Sequence, residues 1–365
     1  MGGGVEKVWF TLAPEFVKRG HEVVIVSRKT PERLREETID GVKHLRVDGF
    51  DTPRSLLWLK FLDLIYSLRT RSILPEADII VTNTFWLPIL PRDSKRGKIY
   101  VHVGRYPKGQ MRFYGKAARL QAPSHSVARA IASEAPRLGH KVTAIPYPVT
   151  RSIRQRTDSQ ARTIIGDRDK IILFVGRVHP EKGVHLLVEA FVNGARSAFA
   201  GWKLMIVGPT GTRLGGGGEG YLASLQSAAG EGEGKISFTG PIFDPGELAS
   251  VFRKARLFIY PSLSERGESF GLAPLEAMAD GCAVLVSNLD CFQDFIRDGQ
   301  TGFIFDHRTK SAANSLRQKM ETVIGDEELL SRVAEAGHRK SIEYSPERVA
   351  DLFLSDFKQV QTQPA

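Results

Sequence analysis

Two acids and two cations stand out for their spacing. Glu268 and Glu276, separated by seven residues, lie within LFIYPSLSERGESFGLAPLEAMAD, residues 257–280. The apolar run Leu257 to Tyr260 reads as a buried parallel strand. It breaks at Pro261 and Ser262 into a loop over 264–272, and a helix follows with Pro274 in its first turn. That helix stops at Gly281. A loop leaving the C-terminal end of a parallel strand and entering a helix N-terminus is where open α/β sheets bind anions. Ser269, Phe270, Gly271 and Leu272 offer backbone N–H groups there, and Gly271 permits close approach. Carboxylates beside a phosphate-binding turn suit hydrogen bonds from a polyhydroxylated ligand, such as a sugar or a ribose. The alternative is an ordinary strand-loop-helix with solvated acids.

The cations lie in FVGRVHPEKG, residues 174–183. Arg177 follows a predicted strand and Lys182 precedes the next helix, with Gly176 and Gly183 beside them. Two cations on separate arms of one loop suit a diphosphate: Arg binds bidentately and Lys adds a point charge. Each contributes on the order of 1.5–3 kcal/mol as a charge-assisted hydrogen bond.

The 365 residues predict two domains of ordinary size, and the 42% hydrophobic and 25% charged content is that of a soluble globular protein. No apolar run is long enough for a membrane span, and no secretory signal opens the chain. Cys282 and Cys291 are too few for a disulfide framework and read as core thiols of a cytoplasmic protein. No metal-ligand cluster, G-x-G-x-x-G, G-x-x-x-x-G-K-[ST] or H-E-x-x-H occurs. Of the net +10, the whole excess falls in residues 1–150, with 25 Lys+Arg against 14 Asp+Glu. Such asymmetry suits an anionic partner: nucleic acid, a membrane surface or an anionic acceptor.

Strand and helix patterns alternate twice. Residues 7–18 read as a helix and 23–26 as a strand; 77–82 and 98–103 are buried strands, the second carrying His102. Residues 54–74 are apolar almost all round, predicting a helix packed on the sheet rather than one at a membrane interface. Arg105, Lys108, Arg112, Lys116 and Arg119 recur at helical spacing, as a basic stripe for anionic headgroups or a phosphorylated acceptor; Pro107, Gly109 and Gly115 weaken the helix. Ser124 in APSHSV reads as a helix cap. Residues 150–169 form a polar linker, and a second alternation follows. The glycines at 215–218 and 230–234 read as mobile surface loops. The expected fold class is α/β, two Rossmann-like parallel-sheet domains facing a cleft. The domains are residues 1–148, joined by a C-terminal crossover helix within 345–365, and residues 149–344.

The Glu268/Glu276 segment, with FGL between the acids, PS before and EAMA after, resembles the E-x7-E motif of the retaining family-four (group 1) glycosyltransferases, which have the GT-B fold. FVGRVHPEKG, APS and DGQTGF (298–303) resemble further elements of that family. The resemblance implies that Glu268 touches the donor sugar, Glu276 holds the ribose, the 269–272 amides hold phosphate and sugar, and Arg177 and Lys182 hold the diphosphate. It adds Gly176, Gly208 and the backbone at Ile242, beside the nucleobase, to the donor-binding set. It makes His102, Glu268, Arg177 and Lys182 the catalytic group, His102 lying beside the donor sugar. A Gly-rich loop at Gly3 and Gly4 would approach donor and acceptor, but the strand that precedes such a loop in the family is missing. A further departure is AIPYPV (144–149), where Tyr147 and Pro148 replace Asn and Gly of the family's I-P-N-G-V and stiffen the hinge.

The implied activity is metal-independent, retaining transfer of a hexose from a nucleotide-diphosphate sugar, GDP- or UDP-linked, to a glycan or lipid-linked acceptor. This belongs to cell-surface polysaccharide or glycolipid synthesis. Residues 1–148 would bind the acceptor and 149–344 the donor. No separate cofactor, metal or nucleic-acid partner is expected, and an anionic membrane surface is a candidate partner, with a peripheral site at the inner face of the cell membrane. Alternatives are a non-catalytic nucleotide-sugar binder and a same-fold sugar-nucleotide epimerase.

Overall fold

The computed structural model describes residues 4–51, 53, 55–90, 96–151, 153, 165–194, 198–230 and 235–362. Gly3, Arg54, most of the 150–169 linker and the glycines at 232 and 234 lie outside the described residues. The chain forms two compact units, residues 149–345 and residues 2–148 with 346–365.

In the second of these, helix α1 (Gly4–Lys18) opens the described chain, with Glu6 in its first turn and Lys18 in its last, both favourable to the helix dipole. Gly20, at φ +84°, ends it. Strands β1 (Val24–Arg28), β2 (Glu36–Ile39) and β3 (Val42–Val47) follow, then helix α2 (Leu56–Ile73) and strands β4 (Ile79–Thr82), β5 (Lys98–His102) and β6 (Arg119–Ala122). Helix α3 (His125–Glu134) and strand β7 (Val142–Ala144) complete this stretch. Ser124 caps α3, its hydroxyl accepting from the Val127 N–H at 3.3 Å. The strands form two sheets, ordered β1-β3-β2 and β4-β5-β6-β7, so β1 and β2 are the outer strands of one and β4 and β7 of the other.

Two expectations fail here. The basic residues 105–119 do not share a helical face: among them only Met111–Phe113 makes a single 3₁₀ turn, and Arg119 begins β6. Pro107 and Gly109, at φ +90°, break the period. Arg105, Lys108, Arg112 and Lys116 are exposed, while Arg119 is buried on Asp356. Helix α2 also departs from the expectation of a helix buried on all sides. Leu57, Trp58, Phe61 and Leu68 are exposed, Leu57 by 81%, whereas Ser67 and Thr70 are buried.

Residues 149–345 hold one six-stranded, all-parallel sheet, ordered β10-β9-β8-β11-β12-β13. Its elements run β8 (Asp169–Val175), α4 (Val184–Gly194), β9 (Lys203–Val207), α5 (Glu219–Ala229), β10 (Ile236–Gly240), α6 (Pro245–Lys254), β11 (Ala255–Tyr260), α7 (Leu272–Ala279), β12 (Ala283–Ser287) and β13 (Phe303–Phe305). Helices α8 (Ala312–Gly325) and α9 (Glu327–Ser341) follow. Near-continuous apolar strands such as β11 and β12 are buried on both faces, as a parallel sheet covered by helices requires. The chain runs outward from β8 to β10 and returns to β11 on the other side of β8. This is the reversal at which open α/β sheets bind ligands, outside the strands' carboxyl ends.

The last helix, α10 (Pro346–Thr362), packs with α1 in the unit of residues 2–148. Asp356 fixes it there by accepting from the Tyr100 hydroxyl at 2.8 Å and pairing with Arg119 at 2.8 Å, all three buried. Taking both charges out of water makes this pair costly to break on one side only.

Candidate active site

The cations and the first acid of the central motif meet at the carboxyl ends of β8 and β11, neighbouring strands at the reversal. After β8 the chain passes Gly176 and Arg177 and makes one 3₁₀ turn, Pro180–Lys182, closed by Gly183 at φ +67°. A Cβ on Gly183 would sit 2.0 Å from the Pro261 carbonyl oxygen, so only glycine lets the β8 loop lie against the β11 loop. The Leu263 N–H donates to the Glu181 carbonyl at 2.8 Å and ties the two loops together.

That contact delivers Lys182 to Glu268. The ammonium donates to Oε2 at 2.6 Å, with both side chains nearly buried, and lies over the Tyr260 ring. Ser262 Oγ donates to the same carboxylate oxygen at 3.3 Å. Burial works against the lysine's charge, but Tyr260 and Glu268 outweigh it and hold its pKa above the ordinary lysine value. Arg177, more exposed, pairs with Glu181 at 2.5 Å and donates to the Gly215 carbonyl at 2.8 Å.

The glycines at 215–218 are therefore not a free surface loop. The Gly217 N–H donates to Val178 O and the Gly218 N–H to Thr210 O, both at 2.8 Å. At Gly216 a Cβ would fall 2.2 Å from Thr210 O. Gly208 ends β9 within reach of the same edge: its N–H donates to Gly240 O at 2.9 Å, and a Cβ on it would fall 1.7 Å from Gly176 O. Ile242, half-buried, follows Gly240 in the loop between β10 and α6.

Helix α7 starts at Leu272 with Gly271 at its cap, φ +99°, and this cap residue brings no side chain to the first N–H groups. Gly271 packs on Phe292, where a Cβ would fall at 2.4 Å. Phe270 is buried against Phe295 and Tyr344, which pins the turn formed by Ser269, Phe270, Gly271 and Leu272. Glu276, buried on α7, is not joined to Lys182. Its Oε1 accepts from the Thr150 hydroxyl, and Arg151 Nη1 stands 3.8 Å from Oε2. Arg151 is held in turn by the Glu276 carbonyl, by Asp280 and by the Phe252 ring.

His102 belongs to the other unit and ends β5, buried. Its Nδ1 faces Gln121 Oε1 and its Nε2 faces the Tyr147 hydroxyl at 3.1 Å. Burial pushes its pKa down to about 4, against a smaller opposing effect of Gln121, so the imidazole is neutral. Gly4 lies in α1, at its first residue. Sequence reasoning missed Tyr260, Ser262, Thr150 and Gln121. Tyr260 and Ser262 flank the Pro261 break and could have been included; Thr150 and Gln121 carry no local signal. Among the described residues no group of three or more His, Cys, Asp or Glu could hold a metal, and no helix is long and apolar enough to cross a membrane.

The family model described as glycosyl transferases group 1 matches residues 155–340, and that of glycosyltransferase family 4 matches residues 2–153. The phosphatidyl-myo-inositol mannosyltransferase of Mycobacterium leprae is 31% identical over 194 residues, 53% of this chain and 47% of that protein. The matched stretch thus spans about half the length of this curated relative. A sucrose-phosphate synthase from Thermosynechococcus elongatus shares the fold, with a TM-score of 0.80 at 19% identity over 98% of this chain and 94% of its own. HepE from Anabaena, solved with UDP and glucose, gives a TM-score of 0.69 at 16% identity, covering 98% of this chain and 96% of its own. With a family model covering each half of the sequence, the chain belongs to the group 1 glycosyltransferases and has the GT-B fold.

Proposed function

We propose that this protein transfers a hexose from a UDP- or GDP-sugar to a hydroxyl of a glycan or lipid-linked acceptor, with retention of anomeric configuration. The observation that carries this reading is the meeting of the β8 and β11 loops. It gathers Arg177, Lys182, Glu268 and the α7 N-terminus at one sheet edge. The cations are paired with Glu181 and Glu268. A diphosphate takes over those cations, releasing Glu268 to accept hydrogen bonds from sugar hydroxyls, while Glu276 exchanges Thr150 for the ribose. As the bond from C1 to the β-phosphate oxygen breaks, its electron pair stays with the diphosphate. Arg177, Lys182 and the helix N-terminus stabilise that developing charge. The acceptor oxygen bonds to C1 on the same face, and its proton passes to the departing phosphate oxygen. Glu268 and Glu276 are committed to hydroxyl contacts and do not form a glycosidase pair. The mannosyl-transferring relative and the UDP-bound HepE structure support a hexose and a nucleotide donor.

The acceptor side belongs to residues 2–148, and an anionic lipid surface is its proposed support. Leu57, Trp58 and Phe61 are exposed at the start of α2. Lys60 lies over Phe85, Phe85 meets Phe113, and Arg112 lies over Phe113. Exposed aromatics interleaved with cations suit a membrane interface. Four exposed cations of the 105–119 segment add to it. A panel of nucleotide sugars, assayed for turnover with lipid-linked and glycan acceptors with and without chelator, tests the reaction. The reading expects one donor to yield a product of unchanged anomeric configuration whether or not chelator is present. An inverted product, an epimerised donor, or binding of donors with no transfer would overturn it.

A further inference from the structure

Gln121 lies beside His102 in the parallel register of β5 and β6 and is fully buried. Its side-chain amide has one orientation that satisfies its surroundings. Nε2 donates to two backbone carbonyls, Ala122 O at 2.8 Å and Ile145 O at 2.6 Å, which an amide oxygen could not serve. Oε1 therefore points at His102 Nδ1, and as an acceptor it requires the proton on that nitrogen. Nε2 of the imidazole is then a lone pair, and the Tyr147 hydroxyl donates to it.

From these contacts we infer that Gln121 and Tyr147 are positioning residues, holding His102 as the neutral Nδ1–H tautomer whose Nε2 can only accept a hydrogen bond. The inference rests on the reading of His102 as part of the transferase site and deepens it. With Nδ1–H donating to Gln121 and the one Nε2 lone pair accepting from Tyr147, His102 is neither an acid nor a hydrogen-bond donor on its Nε2 side. The surroundings agree. Trp9 of α1 sets its ring edge-to-face against the imidazole at 5.4 Å, and the positive charge of Arg105 acts on the buried Tyr147. A Cβ on Gly104 would crowd both Tyr147 Oη, at 3.0 Å, and His102 Nε2, at 3.1 Å. The position that admits this hydrogen bond is thus a glycine.

Nitrogen-15 NMR of the imidazoles in the full-length protein, with His102 assigned by its loss in His102→Asn, reads the tautomer directly and needs no activity. The expected result is a protonated Nδ1 and a pyridine-type Nε2 at pH 6 to 8, retained in Tyr147→Phe because Gln121 sets it. A protonated Nε2, or an imidazolium at pH 6, would overturn the inference. Tyr147→Phe also removes a hydrogen bond that favours the neutral ring. The imidazole pKa, and with it the acid limb of the transfer rate, should rise by about half to one unit. An unmoved imidazole pKa in a folded Tyr147→Phe protein contradicts the role given to Tyr147. Gln121→Leu, where it folds, should mix the two tautomers; a wild-type spectrum there contradicts the role given to Gln121. If the tautomer is as expected but His102→Asn turns over normally, the site reading fails instead.

Discussion

The two units handle chemistry-bearing side chains in opposite ways. In residues 149–345 the site is ionic, with Lys182 on Glu268, Arg177 on Glu181 and Arg151 beside Glu276 and Asp280. In the unit of residues 2–148 the chemistry-bearing group is a neutral histidine enclosed by an amide, a phenol and an indole. Charges poised at a sheet edge exchange partners when a charged ligand arrives. A neutral imidazole whose Nδ1–H is held by Gln121 and whose Nε2 accepts from Tyr147 has its tautomer fixed and carries no charge to exchange. Under the proposed function, the ionic unit would grip the diphosphate and the unit of His102 would make the finer hydrogen-bonding choice.

The largest effect should come from Lys182→Ala, which strands Glu268 in a nearly buried site. We expect a loss of about 3–5 kcal/mol in stability by denaturant unfolding, together with donor binding weakened about 10- to 100-fold. Lys182→Met with Glu268→Gln should restore much of the stability while binding stays weak. Full stability in Lys182→Ala would remove the ionic half of the contrast. Next, Asp356→Asn should destabilise the other unit by about 3 kcal/mol, because Arg119 keeps its charge in a buried place. An unchanged unfolding midpoint would mean that α10 is held by apolar packing alone.

The motif half of this contrast was legible in the sequence because the relevant residues are contiguous. Strand, turn, glycines and acids from 257 to 280 follow one another, and so do Arg177 and Lys182 in their loop. Parallel strands with near-continuous apolar runs also declared the fold. The histidine's surroundings were not legible, since residues 9, 102, 121 and 147 come together only through the β5–β6 register and the chain after β7. The basic stripe misled because cations at helical spacing say nothing of backbone when Pro107 and Gly109 intervene. Helix α2 misled because an all-round apolar pattern does not say which face a sheet covers.

A pH series sharpens the neutral half. His102 titrates near 4 in the folded protein and near 6.5 when unfolded. Above pH 6.5 neither state holds the proton, and the folded protein keeps its full stability. As pH falls below 6.5 the unfolded chain takes up a proton that the folded imidazole refuses. The contribution of His102 to stability should drop until about pH 4, by about 3 kcal/mol, and then level off. Comparing unfolding of wild type and His102→Asn isolates this contribution; equal slopes would deny the buried neutral ring. The smallest effect on stability belongs to α2. Leu57→Ser with Phe61→Ser should stay within about 0.5 kcal/mol of wild type, as exposed positions do. The same variant should sediment less with anionic vesicles, and equal partitioning of the wild type between anionic and neutral vesicles would remove the membrane from the account.

The central claim is that residues 149–345 grip a nucleoside-diphosphate sugar between Arg177, Lys182, the α7 turn and the two acids. Calorimetric titration of UDP- and GDP-sugars into wild type, Lys182→Ala and Glu276→Ala tests it most directly. The account predicts binding of at least one donor to wild type, weakened about 10- to 100-fold in each variant. A donor that binds both variants as tightly as wild type would contradict it.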